Sequence, residues 1–324
     1  MTFVRNAAFL LLALLLAVPA RAGHHDEGPV KTAIVLAAFG TSYPEAVKSI
    51  LNIKTKVEQA NPGVPVRLAF TSNIIRRIWQ KRQDDAAWQK AHADIPAEVL
   101  FVKHPLATIA DLQNDGYRDV AVQSLHVFAG EEFTDLAALV DGLRSIHTMK
   151  AKNEPFVRLV LGRPALGMPG DARPYGEDMA RAAKALKGDV DQAREMGAAL
   201  VYMGHGNDFF STGIYAEFQK VLQAEYDYPI FIGCVEGYPA FDDMTPQLKA
   251  SGERKVLLKP FMIVAGDHAS NDMAGDEDDS WKVMLTKQGF DVTTDLRGLG
   301  MLDGWAAIYV DHLADAMTQK PGAK

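Results

Sequence analysis

The chain has 324 residues, 48% of them hydrophobic, with 34 Lys plus Arg against 41 Asp plus Glu and a single cysteine. That composition excludes intrinsic disorder, a collagen-like repeat and a disulfide scaffold. The net charge of −7 argues against nucleic acid as a partner, and the length accommodates two domains, each with its own core and a cleft between them.

Residues 1–22 read as a secretory signal peptide. Arg5 supplies a positive start, residues 9–18 form an apolar run too short to span a bilayer, and Ala20-Arg21-Ala22 offers a small-x-small cleavage site. Cleavage there removes Arg5 and Arg21 and no acid, which takes the charge from −7 to −9. The expected setting is the periplasm, with no membrane contact after cleavage and residues 23–30 left as a short tail. In an oxidising compartment the lone Cys234 has no intrachain partner, and its place after an apolar run predicts a buried, inert thiol.

From residue 31 onward, apolar runs alternate with helical patterns. Strands are predicted at 32–39, 66–71, 119–128 and 157–162, then at 198–203, 228–235, 255–264 and 290–295, with amphipathic helices such as 43–60, 134–149 and 176–186 between them. Strands rich in Val, Ile, Leu and Phe, interleaved with helices, predict an α/β protein with parallel sheets covered on both faces. The boundaries implied are 31–170 for an N-terminal α/β domain and 171–324 for a C-terminal one, with 176–186 crossing between them.

The halves also resemble each other. Gln123-Ser-Leu-His-Val-Phe-Ala-Gly-Glu-Glu132 parallels Lys259-Pro-Phe-Met-Ile-Val-Ala-Gly-Asp-His268, which pairs Glu132 with His268. Ala38-Phe-Gly-Thr-Ser42 stands beside Gly204-His-Gly-Asn207, and Arg163-Pro-Ala-Leu-Gly167 beside the shorter Arg297-Gly-Leu-Gly300. Three matches in one order predict a duplicated unit of four strands. In parallel sheets the carboxyl edges carry the site, and a duplicated pair can face those edges across one cleft.

No Gly-rich nucleotide fingerprint follows the first strand, and no P-loop, Gly-x-Ser-x-Gly elbow or zinc-type cysteine pair occurs. Nucleotide cofactors and serine esterase chemistry are therefore not expected. The chemistry-bearing residues are instead His205 and His268, predicted on glycine-rich loops at one sheet edge, with Glu236 ending the strand between them. Two imidazoles and a carboxylate suit a borderline divalent ion such as Co2+, Fe2+, Ni2+ or Zn2+. His126 is read as a residue within a strand, either a satisfied core histidine or a group that orients the site. Glu131 and Glu132 open a helix, where the dipole favours carboxylates in any case. Arg76 and Arg77, with Lys81 and Arg82, form a basic cluster suited to a polyanionic small molecule.

Together, Ala38-Phe-Gly-Thr-Ser-Tyr43, Ala69-Phe-Thr-Ser72, Gln123-Ser-Leu-His126, Met203-Gly-His-Gly206, Val235-Glu-Gly-Tyr-Pro239 and Val264-Ala-Gly-Asp-His-Ala-x-Asn-Asp-Met273 resemble the ATP-independent sirohydrochlorin cobaltochelatases of the CbiK type. The resemblance covers nearly all of residues 31–317. It implies two similar α/β domains with a tetrapyrrole in the cleft, and insertion of Co2+, or Fe2+, as the activity. It also implies that His205 and His268 bind the metal, while a carboxylate from Glu132 or Glu236 completes the site or takes pyrrole protons. Segment 84–106 looks longer than the family pattern and carries His92 and His104. An exported member could also bind haem through a surface histidine, His104 first and then His92 or His147, within a homo-oligomer. The rival readings are an exported metal or haem carrier on the same fold and a general solute-binding protein.

Overall fold

The computed structural model describes residues 29–170 and 174–319. The expected signal peptide, its expected cleavage site and most of the expected tail lie outside the described residues. All eight predicted strands form, and they divide into two parallel sheets of four, ordered β2-β1-β3-β4 and β6-β5-β7-β8. The first sheet contains β1 (Lys31–Ala38), β2 (Val66–Phe70), β3 (Tyr117–Ser124) and β4 (Arg158–Gly162). The second contains β5 (Ala199–Gly206), β6 (Ile230–Glu236), β7 (Lys255–Phe261) and β8 (Asp291–Thr294). The identical strand order is the duplication expected from the paired motifs. Among the described residues no helix is long and apolar enough to cross a membrane.

Each central strand buries both of its faces. In β1, Ile34 and Leu36 face one core while Val35 and Ala37 face another. In β5, Leu200 and Tyr202 belong to the first of these cores, while Val201 and Met203 join an outer cluster with Leu258, Leu285 and Trp281. This is the period-2 exchange of a sheet covered on both sides, so the strands read as unbroken apolar runs.

The covering helices of the first half are α1 (Pro44–Ala60), α2 (Asn73–Gln83), α3 (Ala86–Ala91), α4 (Ala97–Leu100), α5 (Pro105–Asn114) and α6 (Glu131–Arg144). Those of the second half are α7 (Tyr175–Ala185), α8 (Lys187–Met196), α9 (Ile214–Tyr226), α10 (Phe241–Ala250), α11 (Trp281–Lys287) and α12 (Asp303–Met317). The last helix does not stay with the sheet that precedes it: α12 packs against α1, β3 and β4 of the first half as well as α7. Chain order would leave residues 303–317 with the second half. Burial of Trp305, Ile308, Tyr309 and Leu313 instead places them in the core shared with Leu36, Phe70 and Phe261.

A buried polar clasp fixes this crossing. Arg163, just after β4, donates to both oxygens of Asp178 on α7, at 2.6 and 2.9 Å, and to Asp315 on α12 at 2.9 Å. His312 of α12 is fully buried and turns Nε2 to Asp178 at 3.0 Å and Nδ1 to the Arg163 carbonyl at 3.2 Å. Both ring nitrogens thus face acceptors. His312 and Arg163 together hold the Asp178 carboxyl far below the usual carboxylate range, against the opposing effect of burial.

Candidate functional site

The carboxyl edges of both sheets open onto one cleft of about 640 Å³. Equivalent turns leave the first strand of each half. Gly40 after β1 and Gly206 at the end of β5 both adopt positive φ, at 99° and 76°, which only glycine enters without strain. At Gly206 a Cβ would also collide with the Glu236 carbonyl. In this alignment His205 occupies the position that Phe39 holds in the first half.

His205 was expected on a loop, but β5 continues through Gly206, which pairs with Glu236 of β6. The strand extension fixes the backbone that carries the imidazole. His205 Nδ1 lies 3.0 Å from the Gly206 carbonyl, so that Nδ1 is the protonated nitrogen and Nε2 is left as an acceptor. His268 lies at the start of a short π-helical turn, 269–273, and its Nδ1 sits 2.5 Å from Asp272 Oδ2. That carboxylate fixes the same tautomer, again leaving Nε2 available. The two rings meet edge to face with centroids 4.8 Å apart.

Glu132, in the first turn of α6, lines the same cleft, as do Glu131, Glu236 and Asp267. Its carboxylate accepts a hydrogen bond from Thr71 Oγ1 at 3.2 Å. Burial raises the Glu132 carboxyl above its ordinary value, an effect the Thr71 bond and the nearby His205 partly offset and Glu131 and Asp135 reinforce. Glu236 is exposed at the tip of β6. Among the described residues no three His, Cys, Asp or Glu side chains converge closely enough to close around a metal ion. The expected trio of His205, Glu236 and His268 is therefore present on the cleft wall without forming a finished cage.

His126 requires a correction. The third strand ends at Ser124, and His126 lies in the turn beyond it, where its carbonyl accepts from Ala165 N and from Tyr309 Oη. The ladder stops because the chain swings away to bond with residues 165 and 166. The imidazole lines the cleft, and its Nδ1 lies 2.8 Å from Ser124 Oγ. Burial pushes it down to about 4, so it is neutral near neutral pH.

The basic cluster is likewise placed differently from expectation. Arg76 folds back to donate to the carbonyls of Phe70 and Thr71 at 2.5 and 2.7 Å, and Arg77 is exposed. Neither lines the cleft. Arg82 stacks over the rings of Trp79 and Trp88, each 4.5 Å from its guanidinium carbon, and donates to the Ser42 carbonyl at 2.7 Å. Trp79 Nε1 donates to the Thr41 carbonyl at 2.8 Å. These cationic and aromatic groups secure the cleft lip that carries Tyr43, whose hydroxyl donates to Asp267 of the opposite half at 2.7 Å. α2 faces the cleft with Ile74, Ile75 and Ile78, an apolar stripe at positions i, i+1 and i+4 that the charge-based reading passed over.

The surface histidines of segment 84–106 stand apart from the cleft. His92 stacks on Trp88 at 4.1 Å, and His104 accepts from Leu106 N as the cap of α5. His147 faces Glu154 at 3.4 Å. Cys234 is buried, and burial pushes its thiol up to about 12, as expected of an inert cysteine.

The profile of the family described as "Cobalt chelatase (CbiK)" matches residues 32–318. A sirohydrochlorin cobaltochelatase of Salmonella typhimurium is 32% identical over 289 residues, covering 89% of this chain and 97% of its own length. A sirohydrochlorin cobaltochelatase, CbiKC, of Nitratidesulfovibrio vulgaris is 33% identical over 290 residues, covering 89% and 91%. Among solved structures, SirB from Bacillus subtilis with Fe3+ superposes with a TM-score of 0.53 at 12% identity, over 89% of this chain and 96% of that one. The sirohydrochlorin chelatase SirB of Bacillus subtilis subspecies spizizenii, in complex with cobalt, superposes with a TM-score of 0.52 at 10% identity, over 89% and 95%. At these identities the two structures share the fold.

Proposed function

This chain belongs to the cobalt chelatase (CbiK) family, and from that membership we propose that it inserts a divalent metal, Co2+ first, into a tetrapyrrole such as sirohydrochlorin. The observation that carries the reading is the meeting of the His205 and His268 rings at the carboxyl edge of the second sheet, with Glu132 on the wall of the same cleft.

Metal insertion exchanges two pyrrole protons for one ion. The seat must therefore hold the metal and also release it. A pair of neutral imidazoles supported by an incomplete carboxylate ring suits that task better than a closed cage, because each protein ligand must give way to a ring nitrogen. His205 and His268 hold the substrate metal through Nε2, and Glu236 adds an exposed oxygen. Glu132, held above its ordinary value by burial, accepts the pyrrole protons one at a time and passes each to solvent before the next. The stripe of Ile74, Ile75 and Ile78 receives a face of the macrocycle. No step needs a nucleotide, and Fe2+ is a second metal that the same ligands accept. The leader-like residues 1–22 support a periplasmic setting for this reaction.

Purified protein is incubated anaerobically with Co2+ and sirohydrochlorin, and in parallel with deuteroporphyrin, without ATP, and insertion is followed by absorbance. Acceleration over the uncatalysed rate with at least one macrocycle is expected. No acceleration with either overturns the proposal and favours a carrier on the same fold.

A further inference from the structure

The two imidazoles of the metal seat are not held alike. His205 is a residue of strand β5 itself, whereas His268 comes seven residues after β7 ends at Phe261. Backbone bonds from Leu299 N to the Met262 carbonyl, at 2.8 Å, and from Gly300 N to the Ile263 carbonyl, at 3.0 Å, secure the first two of those residues. Past His268, Ala269 and Met273 are fully buried, and Met273 joins the outer core of the second half, which anchors the far end of the turn. Its near end, at Asp267, is exposed.

That near end is met from the other half of the molecule. Tyr43 Oη donates to Asp267 Oδ1 at 2.7 Å across the cleft lip, and Asn271 Nδ2, inside the turn, donates to the same oxygen at 2.9 Å. The backbones approach closely as well: a Cβ on Gly266 would lie 3.2 Å from Thr41 Oγ1. The hydrogen bond to Asp267 raises the Tyr43 phenol above its ordinary value, with burial adding to the effect, so the proton stays on the tyrosine as donor. Tyr43 is itself firmly held. Its backbone N–H donates to Thr41 Oγ1 at 3.2 Å, Pro44 follows it and starts α1, and the carbonyls of Thr41 and Ser42 accept from Trp79 and Arg82. From this strut the phenol holds Asp267 and, through the shared oxygen, Asn271; Asp272, next in the chain, holds His268 Nδ1 at 2.5 Å.

We propose that Tyr43 is a positioning residue of the metal seat: its hydroxyl, given across the cleft to Asp267, keeps the turn that carries His268 in register with His205. The inference rests on the chelatase reading and deepens it, because the half that supplies neither imidazole then sets the spacing between them. Tyr43 acts through Asp267 and the turn rather than on the ion.

Co2+ is titrated into the macrocycle-free protein by calorimetry, and the visible ligand-field absorption of the bound ion is recorded. Tyr43→Phe keeps the ring and loses the donor. Its Co2+ affinity is expected to fall about fivefold, less than the roughly tenfold loss expected where a group supports the ring directly. The ligand-field band is expected to shift while Tm stays unchanged, since one exposed hydrogen bond adds little to global stability. Asp267→Ala is expected to weaken Co2+ at least as much, and adding Tyr43→Phe to it to weaken Co2+ no further, as for two residues on one path. Lys56→Ala breaks a different contact between the halves, the 2.9 Å ion pair of α1 with Asp303 of α12, and is expected to leave Co2+ affinity unchanged. Sirohydrochlorin affinity, read by quenching of its fluorescence, is expected to be the same in Tyr43→Phe as in wild type. Equal Co2+ affinity in Tyr43→Phe and wild type, additive losses in the double variant, or a loss confined to sirohydrochlorin overturns the inference and leaves the seat in place. A wild-type Co2+ affinity untouched by His268→Ala overturns the seat, and the inference with it.

Discussion

The imidazole of His205 meets that of His268 edge to face, their centroids 4.8 Å apart and their planes at 88°. One ring stands at the end of β5 and the other follows β7, and these two strands are hydrogen-bonded neighbours in the sheet. His205 is thus carried by the sheet edge itself, and His268 by the turn that follows its neighbour strand. His205→Ala and His268→Ala are each expected to lower Co2+ insertion at least about tenfold, more than loss of a supporting contact, with unchanged Tm. Insertion at the wild-type rate in both variants refutes their role as ligands.

Asp272 holds His268 by a 2.5 Å contact to Nδ1. Asp272→Asn keeps the shape and weakens the acceptor, so Co2+ affinity measured by calorimetry is expected to fall about tenfold. His268→Ala should weaken it further. Equal Co2+ affinity in Asp272→Asn and wild type would show that His268 orients without the carboxylate.

Burial raises the Glu132 carboxyl, and the proton acceptor in insertion must be ionised. The wild-type rate is therefore expected to rise with pH through a limb lying above the ordinary carboxylate value, and Glu132→Gln is expected to abolish that limb along with most of the activity. The stability consequence has the opposite sign. A raised carboxyl favours the neutral form in the folded state, so its contribution is lost as pH rises through the folded value. Glu132→Gln is expected to melt at or above the wild-type Tm at pH 7. A mutant that retains the rising limb shows that Glu132 is not the base.

His126 titrates the other way. Its imidazole is pushed down to about 4 by burial, so the folded state favours the neutral ring. Its contribution to stability is complete above the ordinary imidazole value of about 6.5 and is lost as pH falls toward about 4. His126→Phe is expected to remove that part of the acid destabilisation, seen as a flatter Tm against pH between those values, with a smaller loss of insertion than either ligand variant. An unchanged Tm profile, or a larger loss of insertion, contradicts this account.

Arg163 joins β4, α7 and α12 through Asp178 and Asp315, and both Arg163 and Asp178 are under 10% exposed. Arg163→Met leaves a buried carboxylate facing only His312, and is expected to cost about 3 kcal/mol in urea unfolding. Arg163→Met combined with Asp178→Leu should recover part of that loss, because the stranded charge is removed. No recovery would show that the guanidinium acts through packing alone.

The fold was legible in the sequence because it rests on local patterns. Eight apolar runs, the helical spacing between them and three repeated motifs are properties of short stretches, and the eight runs form two matching parallel sheets. Glu132 and His268, matched in the repeated motifs, both line the cleft, since the duplicated turns follow corresponding strands. What the sequence could not determine was direction. Arg76 and Ile75 are neighbours in one helix, and only the packing of α2 decides that the isoleucine meets the cleft while the guanidinium turns back to the β2 carbonyls. His126 reads as a strand residue until its carbonyl finds Ala165 and Tyr309. The return of α12 depends on its packing against α1, β3 and β4, elements far from it in sequence. Hydrophobic period fixes which elements form, because each element must bury its own face. The side chains that reach the cleft are decided by contacts between residues far apart in sequence, where no local spacing carries the information.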